Sequence, residues 1–124
     1  MRPVRILLVE DNEVFRDALE LLLGMRGDVE IVASVGDGAA AVTAATEHRP
    51  DVVLMDYRMP GMDGVQATTQ VIEALPGVAV VALTASADAA EREALVEAGA
   101  VGCLTKDQEL EEIVAAILDA APVA

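Results

Sequence analysis

Apolar residues fall along this chain in short consecutive runs that alternate with longer segments of helical spacing. The runs cover residues 4–9, 29–35, 51–56, 78–84 and 101–104. Most are apolar on consecutive positions and rich in Val, Leu and Ile, a pattern that predicts strands covered on both faces. The first intervening segment carries Phe15, Ala18, Leu19 and Leu22 at i, i+3, i+4, i+7, and Gly24 and Gly27 bracket its end. A second helix is predicted over 38–48, with Asp37 as its N-cap and Pro50 beyond it. A third starts after Asp63-Gly64, carries Val65, Thr68, Ile72 and Leu75, and stops at Pro76-Gly77. A fourth spans 89–98 and ends at Gly99. The fifth carries Leu110, Ile113, Val114, Ile117 and Leu118, the cleanest amphipathic stripe in the chain.

The pattern is a βα unit repeated five times. Helical crossovers imply parallel strands and right-handed connections, so the predicted fold class is α/β: a doubly wound five-stranded parallel sheet with helices on both faces. No Ser- or Pro-rich linker interrupts it. Residues 1–124 read as one domain, long enough for one core without staples, and 120–124 as a frayed end or the start of a linker.

Charge narrows the partners. Asp and Glu number 22 against 8 Lys and Arg, a net charge of −14. Phosphate backbones and anionic membranes are bound by clustered cations, so this chain is expected to bind neither DNA nor a membrane directly. An apolar content of 54% excludes a disordered acidic tail. The single cysteine, Cys103, cannot form an internal disulfide, and neither a signal peptide nor a membrane span is seen; the expected location is cytoplasmic.

In sheets of this kind, sites lie beyond the C-terminal ends of the strands. Glu10, Asp11 and Asn12 follow the first run, Asp56 ends the third, Thr84-Ala85-Ser86 ends the fourth, and Lys106, the only lysine, follows the fifth. Carboxylates gathered at one edge repel unless a cation sits among them. A hard divalent ion such as Mg²⁺ suits all-oxygen donors, with Asp11 and Asp56 as direct ligands and Glu10 acting through water. His48 is the only histidine, so a zinc site is excluded. A metal, the Lys106 ammonium and the Thr84 hydroxyl around an aspartate are what an acyl phosphate on Asp56 would require. Each residue singly has a plainer account: a turn-forming aspartate, a solvated lysine, a strand threonine. Their arrival at one sheet edge from four strand ends favours a site.

These residues carry a resemblance. The segment Asp56-Tyr57-Arg58-Met59-Pro60-Gly61-Met62-Asp63-Gly64 resembles the phosphoacceptor loop of bacterial two-component response-regulator receiver domains. Glu10-Asp11 resembles that family's acidic pair, Thr84-Ala85 its switch hydroxyl and small neighbour, and Lys106 its lysine. The likeness spans the chain. Residues 99–107 further resemble the NarL/FixJ-like subgroup, whose receivers usually precede a LuxR-type helix-turn-helix DNA-binding domain. The resemblance implies the flavodoxin-like (CheY-like) (βα)5 fold and phosphoryl transfer from a sensor histidine kinase to Asp56. It implies Mg²⁺ held by Asp11, Asp56 and the backbone carbonyl of Arg58, with Glu10 in support. Thr84 and Lys106 would contact the phosphoryl oxygens, Ala85 would leave room for them, and Pro60 and Gly64 would shape the loop. The expected output is a conformational switch acting on transcription through a domain beyond residue 124; a stand-alone receiver in a phosphorelay is the alternative. A homodimer formed on phosphorylation is the other partner considered. The chain is not expected to be an enzyme beyond self-phosphorylation and slow self-dephosphorylation. One departure stands out: where the family usually carries Tyr or Phe on the last strand, this chain has Cys103, read as a small buried filler.

Two rival readings use other residues. Gly36-Asp37-Gly38-Ala39-Ala40-Ala41 matches a dinucleotide-binding fingerprint, with Asp56 placed as its ribose acid. That reading leaves Glu10, Asp11, Thr84 and Lys106 unused, and Asp37-Gly38 as a turn and helix start is simpler. An aspartyl phosphatase of the haloacid-dehalogenase type needs a second acid two residues after the nucleophile, where this chain has Arg58.

Overall fold

Strands form wherever apolar, β-branched residues run consecutively, and helices where capping residues precede a 3.6-residue period. In the computed structural model, which describes residues 2–59, 61–85 and 88–122, the order is β1 (Val4–Val9), α1 (Glu13–Gly24), β2 (Val29–Val35), α2 (Gly38–His48), β3 (Val52–Asp56), α3 (Gly64–Ala74), β4 (Ala79–Thr84), α4 (Ala89–Ala98), β5 (Gly102–Thr105) and α5 (Leu110–Ala120). Side chains of Asn12, Asp37, Asp63 and Asp88 cap the first four helices by accepting first-turn N–H groups. Pro60, Ser86 and residues 123–124, all named above, lie outside the described residues.

The five strands form one sheet in the order β2-β1-β3-β4-β5, with every pairing parallel. From β1 the chain passes outward to β2 and returns to β3 on the other side of β1. Two crossovers diverging from that point open a crevice beyond the C-terminal ends of β1 and β3. The period of two along each strand divides the core. Leu7, Val9, Val53, Met55, Val80 and Ala82 pack with Ala41, Ala67 and Leu95 of α2, α3 and α4. Ile6, Leu8, Val52, Leu54, Val81 and Leu83 pack with Leu19 and Leu23 of α1 and Ile113, Val114 and Ile117 of α5. Each large aliphatic side chain so buried contributes roughly 1.5–3 kcal/mol.

The structure corrects several expected boundaries and faces. Asp51 is not in β3: its carboxylate accepts the Arg5 N–H at 2.9 Å and pairs with Arg2 at 3.2 Å, bridging outward ahead of the strand. β4 starts at Ala79, and β5 is shifted by one residue to Gly102–Thr105. On α1 the buried row is Leu19 and Leu23 with Phe15 half-buried, while Ala18 and Leu22 are exposed. An i, i+4 row thus meets the sheet, and Leu23 takes the place expected of Leu22. Leu118 is likewise partly exposed, at 39%, at the rim of α5, and Leu75 is the C-cap of α3. β2 and β5 are edge strands, so their side chains are mostly half-buried rather than covered on both faces. Among the described residues, no helix is long and apolar enough to cross a membrane.

Candidate functional site

The same period of two that builds the core places the polar residues. Ile6 and Leu8 of β1, Val52 and Leu54 of β3, and Leu104 of β5 all lie on the α1/α5 face. Two residues further along each strand come Glu10, Asp56 and Lys106. Leu8 is in register with Leu54, so Glu10 and Asp56 leave the sheet side by side. Lys106 Nζ lies 2.7 Å from Glu10 Oε1 and 3.3 Å from Asp56 Oδ1. Its ammonium also stands 5.0 Å from the centre of the Phe15 ring, a cation–π contact from α1.

Glu10 is fully buried and both of its oxygens are engaged, because Oε2 accepts the Asn12 N–H at 3.0 Å. Its backbone carbonyl accepts from Arg16 Nη1 at 2.9 Å, which ties the end of β1 to α1. Asp11, the next residue, is exposed. Carboxylate oxygens of Glu10, Asp11 and Asp56 nevertheless lie within 4.8 Å of one another. Thr84 is buried at the end of β4 on the opposite row, and its carbonyl accepts the Lys106 N–H at 2.8 Å. Asp11, Asp56, Arg58, Thr84, Ala85 and Lys106 share a cavity of about 280 Å³ with Asn12. The structure therefore brings together every residue that the sequence reading placed at this edge and that lies among the described residues.

Burial is the main cause that raises the Asp56 carboxyl, followed by its contacts with Glu10 and Asp11; Lys106 offsets this only in part, and the value is pushed up to about 8. Burial works against the Lys106 ammonium, but pairing with Glu10 and Asp56 outweighs it and holds the group above the ordinary lysine range. Three carboxylates thus face one ammonium. Asp56 Oδ2 is buried without a hydrogen-bond partner among the described residues. An orphaned carboxylate oxygen beside two more carboxylates fits a hard divalent cation, whose charge would offset the repulsion that adds to burial in raising Asp56.

The loop after β3 is shaped by a close approach. The Gly64 N–H donates to the Tyr57 carbonyl at 2.7 Å, and Asp63 and Gln66 form a reciprocal capping box at the start of α3. A Cβ on Gly64 would collide with the Asp56 carbonyl oxygen and stand 2.8 Å from Tyr57 Cα, both backbone atoms. Gly64→Ala is therefore expected to destabilise the fold by about 2 kcal/mol, as overpacking against atoms that cannot turn aside. Urea unfolding checks this; a wild-type midpoint would show that the loop shifts freely.

The glycines of the apparent dinucleotide motif serve packing. Asp37 caps α2 through the Ala40 N–H at 2.8 Å, and a Cβ on Gly38 would press on Met62 at 2.9 Å. Cys103 is only half-buried on the edge strand β5, not buried as expected; it packs against the α2–α4 side of the core, and partial burial pushes its thiol up, which suits a filler rather than a reactive group. One contact had no signal in the sequence. The Arg58 side chain reaches Glu91 of α4 at 2.8 Å, 33 positions away, whereas sequence gave Arg58 only a backbone role.

Residues 6–118 match the model of the response regulator receiver domain family. The chain belongs to that family. This receiver is 38% identical over 114 residues to the transcriptional regulatory protein LiaR of Bacillus subtilis, covering 92% of this chain and 54% of that protein. It is 39% identical over 118 residues to the probable transcriptional regulatory protein NarL of Mycobacterium tuberculosis, covering 95% and 55% respectively. The chain thus spans about half the length of these curated relatives. Among solved structures, the signal receiver domain of Mycobacterium tuberculosis NarL superposes with a TM-score of 0.91 at 38% identity, covering 96% of both chains. The response regulator domain of Thermotoga maritima CheB gives 0.88 at 28% identity, again over 96% of each. The expected family, its NarL-like relatives and its CheY-like fold are all borne out, and receivers of this family are regulatory domains rather than enzymes in the ordinary sense.

Proposed function

We propose that this receiver accepts a phosphoryl group on Asp56 from a phosphohistidine of a sensor histidine kinase, and that the modified form signals by a change of conformation. The observation that carries the reading is the Asp56 carboxylate itself. It stands at the C-terminal end of a central strand, in a cavity shared with Thr84 and Lys106, with one oxygen 3.3 Å from the Lys106 ammonium and the other buried without a hydrogen-bond partner among the described residues. In the transfer, a carboxylate oxygen bonds phosphorus as the phosphorus–nitrogen bond breaks, and the imidazole nitrogen keeps the electron pair. Lys106 and the Thr84 hydroxyl are assigned to the phosphoryl oxygens, where charge concentrates and fixed donors stabilise it best. Ala85 adds no bulk at that edge. Asp11, Asp56 and the Arg58 carbonyl are assigned to Mg²⁺, with Glu10 holding Lys106 in place. When bound, the ion supplies charge neutralisation for the entering phosphoryl oxygens.

Output follows from the relatives, which are transcriptional regulators about twice this chain's length. We assign the chain as the receiver of a cytoplasmic regulator whose DNA contacts belong to a separate helix-turn-helix domain, with a homodimer as a form favoured by phosphorylation. Incubation with acetyl phosphate and Mg²⁺ tests the core of the proposal. One phosphoryl group is expected by intact mass, and peptide mapping should place it on Asp56. Labelling mapped to any other carboxylate would overturn the assignment.

A further inference from the structure

Arg58 belongs to two places at once. Its backbone lies two residues past Asp56, and it lines the same cavity as Asp11, Asp56 and Lys106. Its guanidinium, however, is turned toward α4, where Nη2 donates to Glu91 Oε1 at 2.8 Å. The two partners differ sharply in surroundings. The Arg58 side chain is 76% exposed and that of Glu91 only 11%. Glu91 Oε2 is buried with no hydrogen-bond partner among the described residues. Glu91 therefore relies on Arg58 for compensation of its charge, while Arg58, in water, can leave at little cost of its own.

We infer that Arg58 is a latch between the phosphoacceptor loop and α4, which a phosphoryl group on Asp56 opens by competing for the guanidinium. The inference rests on the reading of Asp56 as phosphoacceptor. A phosphoryl group brings acceptor oxygens and roughly one to two further negative charges into the cavity that Arg58 lines, and a guanidinium fork matches phosphate oxygens better than a lysine does. Glu91 would then keep its buried carboxylate without its cation, in the first turn of α4. That helix is weakly held for two further reasons: Leu95 is its only fully buried apolar side chain, and Val96 is 59% exposed. Losing the Glu91 pair should loosen α4. Arg58 is thus a positioning residue that reports the state of Asp56 to a helix that does not carry the site.

Reciprocity supplies the test. If the phosphoryl group opposes the Arg58–Glu91 pair, the pair opposes the phosphoryl group, and removing it must strengthen binding. Beryllium fluoride with Mg²⁺ serves as the phosphoryl mimic, titrated into wild type, Glu91→Gln, Arg58→Ala and the double variant, with backbone hydrogen exchange read over 89–98. Glu91→Gln is expected to bind the mimic about threefold more tightly, and Arg58→Ala to show fast exchange in α4 before the mimic is added. In the Arg58→Ala background, Glu91→Gln should no longer tighten binding of the mimic, because the latch is already gone, and should slow α4 exchange by removing the unpaired buried carboxylate. Wild type should gain exchange in α4 on binding. Unchanged affinity in Glu91→Gln, or α4 exchange that does not rise in wild type with the mimic bound, overturns the latch. Failure of wild type to take up acetyl phosphate on Asp56, measured in parallel by mass, would instead overturn the phosphoacceptor reading.

Discussion

Chelation of divalent cations with EDTA is expected to slow acetyl-phosphate labelling of Asp56 by about a hundredfold or more, and Asp11→Ala in excess Mg²⁺ to lose activity to a similar degree. The reason is the charge count at the site. Glu10, Asp11 and Asp56 place carboxylate oxygens within 4.8 Å of one another, and Lys106 is the one cation paired with them among the described residues. An incoming phosphoryl donor is itself an anion. Without a divalent ion it approaches a cluster with surplus negative charge and a nucleophile whose carboxyl is pushed up by burial and by its acidic neighbours. A cation shared by Asp11 and Asp56 removes both obstacles, and charge stabilisation of this kind is worth several kcal/mol in transition-state energy. The labelling rate measured by intact mass against Mg²⁺ concentration checks it. Undiminished labelling in EDTA would mean that Lys106 by itself suffices.

Replacing Asp56 with Asn is expected to abolish labelling and, at the same time, to raise the thermal midpoint measured in EDTA. The carboxyl is pushed up to about 8 in the folded chain, with burial the main cause, against an ordinary carboxylate value of 3.8. A raised folded-state value means that the native state holds the proton more tightly than the unfolded chain. Stability from this group is fully present below pH 3.8 and is lost as pH rises toward 8. Asparagine has nearly the same shape and no charge, so it escapes that loss. The gap between Asp56→Asn and wild type should therefore open between about pH 4 and pH 8 and then level off. Discounting for water in the cavity and for Lys106, a gain on the order of 1–2 kcal/mol is expected at pH 8, or about 5 °C. Saturating Mg²⁺ should narrow the gap by stabilising wild type alone. Thermal melts by circular dichroism at several pH values measure this; a variant less stable than wild type in EDTA at pH 8 would show that Asp56 is well compensated without a metal.

Much of the site was legible before any coordinates. Runs of consecutive apolar residues marked the five strands, and Asp37 and Asp63 stand where the second and third helices begin. Ligand sites in such sheets gather past the strand ends, which sufficed to select Glu10, Asp11, Asp56, Thr84 and Lys106. The misjudged helix faces had a local cause. On α1, Leu21, Leu22 and Leu23 are chemically alike, and periodicity cannot say which of three leucines turns inward. Only the docking of the helix does so, burying Leu23 and leaving Leu21 68% and Leu22 42% exposed.

What the sequence by itself determined is therefore whatever depends on near neighbours: the alternation of strand and helix, the caps, the glycine after Asp63, and the period of two that sends Glu10, Asp56 and Lys106 to one side of the sheet. The tertiary structure alone decided what depends on partners far apart in the chain. The order β2-β1-β3-β4-β5 made β2 and β5 half-covered edges although their residues resemble those of the central strands. It placed Lys106 at 2.7 Å from Glu10 and 3.3 Å from Asp56, which turned three unremarkable residues into a coupled electrostatic unit. It also joined Arg58 to Glu91 across 33 positions. Local propensity acts over a turn or a strand, whereas burial and charge pairing depend on distance in space, which no local pattern encodes.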